Sequence, residues 1–185
     1  AVEDIPFLPI SFWKSQIVKT GTWNSEKLFL SSGTTKLLRS QSHVKSLTHY
    51  RRSFTTIFSQ FFPHLADTEI IAVLPSYQQQ GDSSLIYMVD HLLKIAHRSS
   101  AYYQVTDTIQ IKNTLERTDH PKILFGVSYA LLDLIETHNI NCKNTSVIET
   151  GGMKGRRKEL TKIELHERLS TGFGVKNITS EYGMS

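Results

Sequence analysis

Apolar residues in this chain gather in short blocks, and the spacing within each block indicates the element it predicts. "KLFL" at 27–30 is a strand-like run that ends in the small residues "SSGTT". Val44, Leu47, Tyr50, Phe54, Ile57, Phe58 and Phe61 then recur at intervals of three and four, one apolar stripe of a long helix. "EIIAVLP" reads as a strand, and Asp82 or Ser83 supplies an N-cap for a helix over "SSLIYMVDHLLKIAHR". The order repeats with strand "KILFGV", helix "YALLDLIETH" and strand "TSVIET". Helix "KIELHERLSTGF", with Thr161 and Glu164 spaced as a capping box, and strand "VKNITS" close it. Pro6 and Pro9 in "IPFLPISFWKSQIV" predict an extended segment lying across the core.

Strands that alternate with helices and read as nearly continuous apolar runs predict an α/β fold: a largely parallel sheet with helices on both faces. No repeat, low-complexity tract or Gly/Ser linker interrupts it, so residues 1–185 read as a single α/β domain. In such sheets ligands bind beyond the carboxyl ends of the strands. The segments there are "SSGTT" at 31–35, "PSYQQQGDSS" at 75–84, "GVSYA" at 126–130, "TGGMKGRR" at 150–157 and "SEYGMS" at 180–185.

Composition narrows the function. With 39% hydrophobic residues over 185 positions the chain can bury a core. A net charge of +4 is weak evidence for a nucleic-acid partner, and none is expected. The single cysteine, Cys142, excludes an internal disulfide and fits a reducing compartment. No apolar run approaches the roughly 20 residues that span a bilayer. The expectation is a soluble cytoplasmic protein without membrane insertion.

Each strand-end segment has a functional and a bland reading. Ser31, Ser32, Gly33, Thr34 and Thr35 suit a phosphate, with uncovered backbone amides and four hydroxyls, or form an ordinary polar turn. Neither a Walker A loop nor a G-x-G-x-x-G fingerprint is present. Gly151 and Gly152 end an apolar strand, where a missing Cβ lets a flat ring or another backbone approach. Lys154, Arg156, Arg157 and Lys158 either contact phosphate oxygens or form a solvated cap. Tyr182 beside Gly183 offers a stacking face to a purine. The eight histidines show no zinc-ligand spacing, and His91, His97 and His166 read as surface or interface residues. Cys142 reads as structural, and no G-x-S-x-G elbow is present.

Taken in order, "SSGTT", "LPSY" leading into "GDSSLIYMV", "ETGGMKGRRKEL" and "SEYGMS" resemble the acyl-protein synthetase (LuxE-type) family, which is similar to phenylacetate-CoA ligases in the adenylate-forming superfamily. The resemblance runs from "EDIPFLPI" to the last residue. It implies part of the large N-terminal domain of an adenylate-forming enzyme, a ligase that forms a carbon–sulfur bond. ATP and Mg²⁺ would activate a carboxylic acid, expected to be a fatty acid, to an acyl-adenylate, and the acyl group would pass to a protein thiol from which a partner acyl reductase draws it. By motif, Ser31 to Thr35 would grip the β- and γ-phosphates and Ser185 the α-phosphate. Gly151, Gly152, Met153, Tyr182 and Gly183 would form the adenine site. Lys154 and Arg156 would meet anionic groups, with Arg157 and Lys158 left in solvent, and Tyr77, Ser84 and Tyr87 would border the acyl pocket.

The chain departs from the family in that Lys36 stands where the loop usually carries glycine. The family's Mg²⁺-holding glutamate, acyl-accepting cysteine and C-terminal domain would all lie beyond Ser185. The resemblance therefore implies an incomplete adenylation domain without a metal site of its own, and Cys142 does not inherit the acceptor role. An acyl- or aryl-CoA ligase, or a non-catalytic nucleotide-binding or scaffold fragment, are the alternative readings.

Overall fold

A computed structural model describes residues 8–31, 39–74, 81–153 and 155–182. It is an α/β fold. The elements run α1 (Phe12–Ser15), β1 (Lys27–Leu30), β2 (Gln41–Val44), α2 (Leu47–Phe61), β3 (Glu69–Val73), α3 (Ser84–Ile95), β4 (Ala101–Tyr103), α4 (Thr108–Glu116), β5 (Lys122–Val127), α5 (Ser128–Thr137), β6 (Thr145–Thr150), α6 (Lys162–Phe173) and β7 (Ile178–Glu181). Five strands form one sheet in the order β4-β3-β5-β6-β7, every pairing parallel. β1 and β2 make a separate antiparallel pair.

The centre of the sheet forms because its strands carry apolar runs at 70–73 and 123–125, behind the buried charges Glu69 and Lys122: every residue of β3 and β5 is buried, as expected of parallel strands covered on both faces. β6 joins them with Val147 and Ile148. Leu131, Leu165, Leu169 and Phe173 carry α5 and α6 into the same core. Ser83 caps α3 by accepting from the Ile86 amide, and Thr161 and Glu164 complete the expected capping box at α6. Gly174 ends α6 in the left-handed conformation at φ +67°.

Several elements differ from the sequence expectation. Val44 belongs to β2, and α2 begins only after Ser46, whose side chain accepts from the His49 amide. β4 and α4 were not expected; "AYY" is too short to show a period. The N-terminal segment, as described from residue 8, does not lie across the core: Ile10 and Ile17 are exposed, and Phe12–Ser15 forms a helical turn. The expected apolar stripe of α2 exists, yet no residue of that helix is buried. Among the described residues no helix is long and apolar enough to cross a membrane.

Candidate functional site

Strand register divides the site into two sides. Gly126, Glu149 and Ser180 pair across β5, β6 and β7. Because side chains alternate along a strand, this row faces α5 and α6. The rows on either side of it, Phe125–Ile148–Thr179 and Val127–Thr150–Glu181, face α2.

On the α5/α6 side, Glu149 is completely buried, which requires its charge to be answered. Ser128 Oγ donates to Glu149 Oε2 at 2.8 Å, while Ser180 Oγ and Lys162 Nζ both donate to Oε1. His166, one turn after Lys162, brings Nε2 to 3.4 Å from the same oxygen. Burial pushes the Glu149 carboxyl up, but the hydrogen bonds from Lys162, Ser180 and Ser128 outweigh it and hold the group below its ordinary value. Ser128 Oγ also lies 3.1 Å from the Gly151 carbonyl oxygen. This knot therefore ties the ends of β5, β6 and β7 to the start of α6. His166 meets Ser180 through the nitrogen that also faces Glu149. The arrangement is thus a clamp and not an acid–histidine–hydroxyl relay, which needs both ring nitrogens. α5 packs close over this row: a Cβ on Gly126 would come within 2.6 Å of Leu131 Cδ2.

On the α2 side lies an apolar groove of about 310 Å³ lined by Phe54, Phe58, Met88, Phe125 and Ile148, with Glu181 and Tyr182 also on its wall. Thr150 Oγ1 donates to Glu181 Oε2 at 2.6 Å. Burial pushes the Tyr50 phenol up, a hydrogen bond with Ser84 opposes this, and the charge of Glu181 adds to it. Ser84 therefore lies against the Tyr50 phenol, which feels the charge of Glu181. Tyr87 accepts from Arg51 Nη1 at 3.0 Å, and its ring lies 6.1 Å from that of Tyr50. Ser84 and Tyr87 thus both flank Tyr50.

Gly151 and Tyr182 leave adjacent strands directly after the paired Thr150 and Glu181. Tyr182 is 83% exposed, so its ring is free to stack. Gly151 adopts φ +72°, and a Cβ there would touch nothing within 4 Å; glycine is needed for the backbone angle and not for close approach. Gly152 is exposed, its Cβ position 3.8 Å from the Glu159 carboxylate. Met153 corrects the sequence expectation, because after the turn it re-enters the core at 2% exposure and offers no surface to an adenine ring. Arg156 places its guanidinium 4.7 Å from the Tyr129 ring centre. Arg157 is a second correction: it does not stand free in solvent but, half-buried, bridges Asp133 and Glu136 on α5. Lys158 is exposed.

Ser31 is already occupied: its amide donates to the Ser40 carbonyl at 3.0 Å and its Oγ accepts from the Ser40 amide at 2.9 Å, continuing the β1–β2 pair. Ser32, Gly33, Thr34, Thr35, Tyr77, Lys154, Gly183 and Ser185 lie outside the described residues. Cys142 is buried before β6, at the opposite end of the sheet, where burial pushes its thiol up to about 12. His97 stacks on His120 with ring centres 4.0 Å apart, also at that end. Among the described residues no group of three or more His, Cys, Asp or Glu side chains is placed to hold a metal ion.

Sequence reasoning missed Glu149 and its partners. The available signal was one carboxylate directly after the apolar pair Val147 and Ile148 of "SVIET", since a charge on a strand covered on both faces needs partners. No protein-family model matches the chain, and no curated protein matches it.

Proposed function

We propose that the chain is the acid- and nucleotide-binding part of an adenylate-forming ligase. A carboxylate oxygen attacks the α-phosphorus of ATP, the bond to pyrophosphate breaks, and a thiol then takes the acyl group and releases AMP. One observation carries this reading: the Gly151 turn and the exposed Tyr182 leave neighbouring strand ends beside an apolar groove. That juxtaposition suits an amphipathic acid whose apolar body lies in the groove and whose carboxylate meets a nucleotide at the mouth. Tyr182 would stack on the base. Arg156, anchored over Tyr129, is the described cation nearest in sequence to the turn.

The thiol is not that of Cys142, which is protonated, buried and at the far end of the sheet. It comes from coenzyme A or from another protein cysteine. Mg²⁺ would be held mainly by ATP phosphates and water, the usual mode for that ion. Hydroxylamine trapping tests the proposal: with ATP, Mg²⁺ and acids from acetate to palmitate, it expects an acyl hydroxamate with at least one aliphatic acid. No hydroxamate with any acid, from this chain or a longer protein that contains it, overturns the reading.

A further inference from the structure

The charges of this chain are unevenly placed. Glu26 is the sole Asp or Glu between Ile5 and Ala66, a stretch that carries eight of the 21 Lys and Arg, whereas acids and bases nearly balance after it. Glu26 is itself engaged, its Oε2 accepting from the Leu47 amide at the start of α2. Lys27 pairs with Asp82, and among the described residues no other Lys or Arg of the stretch forms an ion pair. Exposed apolar side chains gather in the same lobe. Ile10 and Ile17 are 67% and 71% exposed, with Leu8 and Phe12 also open to water and Lys14 between them in the chain. The turn of α1 packs on β2, and Ser25 Oγ bonds His43 Nδ1 of that strand at 2.8 Å. Burial, and after it the charge of Lys19, depress the His43 imidazole, so Lys19 also lies near β2. We infer that residues 8–19 form a docking surface for an anionic lipid leaflet, held peripherally, with Ile10, Phe12 and Ile17 seated among the headgroups and Lys14 and Lys19 on lipid phosphates. The inference is independent of the ligase reading.

Charge and side-chain type favour this occupant. A peripheral segment needs apolar side chains for the acyl boundary and cations whose long stems reach back to the headgroups. The run "LPISFWKSQIVK" from Leu8 to Lys19 supplies both, and no acid interrupts it. A nucleic acid would meet the same charge but not the same side chains: Leu8, Ile10 and Ile17 have no ring to stack on a base. The Trp23 ring is already covered by Lys19 Nζ, 4.8 Å from its centre. An acidic protein would have to enclose Lys14 and Lys19 with the apolar residues they alternate with, and the buried centres of protein interfaces are depleted of lysine. At a leaflet the same alternation is no conflict, because the apolar groups sink while the ammonium groups stay at the phosphates.

Cosedimentation with vesicles tests it, using phosphatidylcholine alone and phosphatidylcholine with about 30% phosphatidylserine. The chain should bind the anionic vesicles roughly tenfold or more tightly than the neutral ones, and the excess should fade between about 0.05 and about 0.5 M salt as screening sets in. Each lysine at an anionic leaflet is worth about fivefold in affinity, so Lys14→Gln combined with Lys19→Gln should weaken binding by roughly tenfold or more. Ile17→Asp should weaken it as well, with no change in the unfolding midpoint, because that side chain already stands in water. Ile109→Asp, which alters a similarly exposed isoleucine on α4, should leave vesicle binding unchanged. No binding, equal binding to both vesicle types, or losses as large in Ile109→Asp as in Ile17→Asp overturn the inference. So does tighter binding to a single-stranded RNA than to the anionic vesicles, or self-association through this surface without vesicle binding, since a second copy then covers it.

Discussion

Lys162→Met is the sharpest probe of the buried knot. Lys162 is 57% exposed on its side chain, and Glu149, its partner, is fully enclosed. The substitution keeps most of the lysine's apolar bulk and strands a buried carboxylate that still has Ser128 and Ser180. Breaking a fully buried pair costs about 3–5 kcal/mol. Because Lys162 is half in water and two hydroxyl donors remain, about 1–2 kcal/mol is expected here at neutral pH. Glu149→Gln removes the charge itself and lets Lys162 return to water, so it should cost less than Lys162→Met.

The pH dependence separates this account from an ordinary surface pair. In the native protein the folded Glu149 lies below the usual carboxylate range. Its contribution is thus present above the unfolded value, near 4.3, and is lost as pH falls through the folded value. In Lys162→Met the first of the hydrogen bonds holding it down is gone and burial dominates, so the folded value lies above the unfolded one. The penalty is then full at neutral pH and shrinks as Glu149 takes a proton on acidification. Urea unfolding of both proteins at about pH 7 and about pH 5 measures this. A deficit that is equal at the two values, or larger at the acidic one, refutes the reasoning.

Three further outcomes follow from other parts of the molecule. Gly172→Ala removes a helix-interior glycine, worth about 1 kcal/mol in favour of alanine. A Cβ there would fall 2.7 Å from Ile135 Cβ, which no rotamer change can move, so denaturation should show net destabilisation of about 1–3 kcal/mol; a neutral or stabilised variant contradicts the α5–α6 contact. Cys142, with its thiol near 12, should resist thiol reagents at neutral pH until the protein is unfolded; rapid native labelling would place it at the surface. Tyr182→Ala should weaken ATP binding by about 1–3 kcal/mol in calorimetry with no change in the unfolding midpoint, because the ring is exposed in the free protein; unchanged affinity removes it from the base site.

The α/β order was legible because β3 and β5 are covered on both faces and carry apolar runs, and β6 carries the buried pair Val147 and Ile148. The α6 capping box was legible for a local reason, since both partners lie within four residues. β2 and β4 were not, since "QSHV" and "AYY" are half-buried on a margin and carry neither a run nor a period. The glycine turn and Tyr182 were visible in sequence as punctuation after strands. What sequence did not show is what holds them: Ser128 reaches Glu149 across 21 positions and Arg157 reaches Asp133 across 24. Arg157 looked like part of a charge run because its partners sit on another helix. Met153 looked like part of a ligand loop because nothing local says that the chain turns inward after Gly152.

The central claim is that the strand ends beside the groove join an acid to a nucleotide, and ATP–pyrophosphate exchange tests it most directly. Labelled pyrophosphate should enter ATP only when Mg²⁺ and an aliphatic acid are both present, and Tyr182→Ala should raise the KM for ATP more than it lowers the exchange rate. Exchange that proceeds without acid, or that fails with every acid while ATP still binds, would contradict the account.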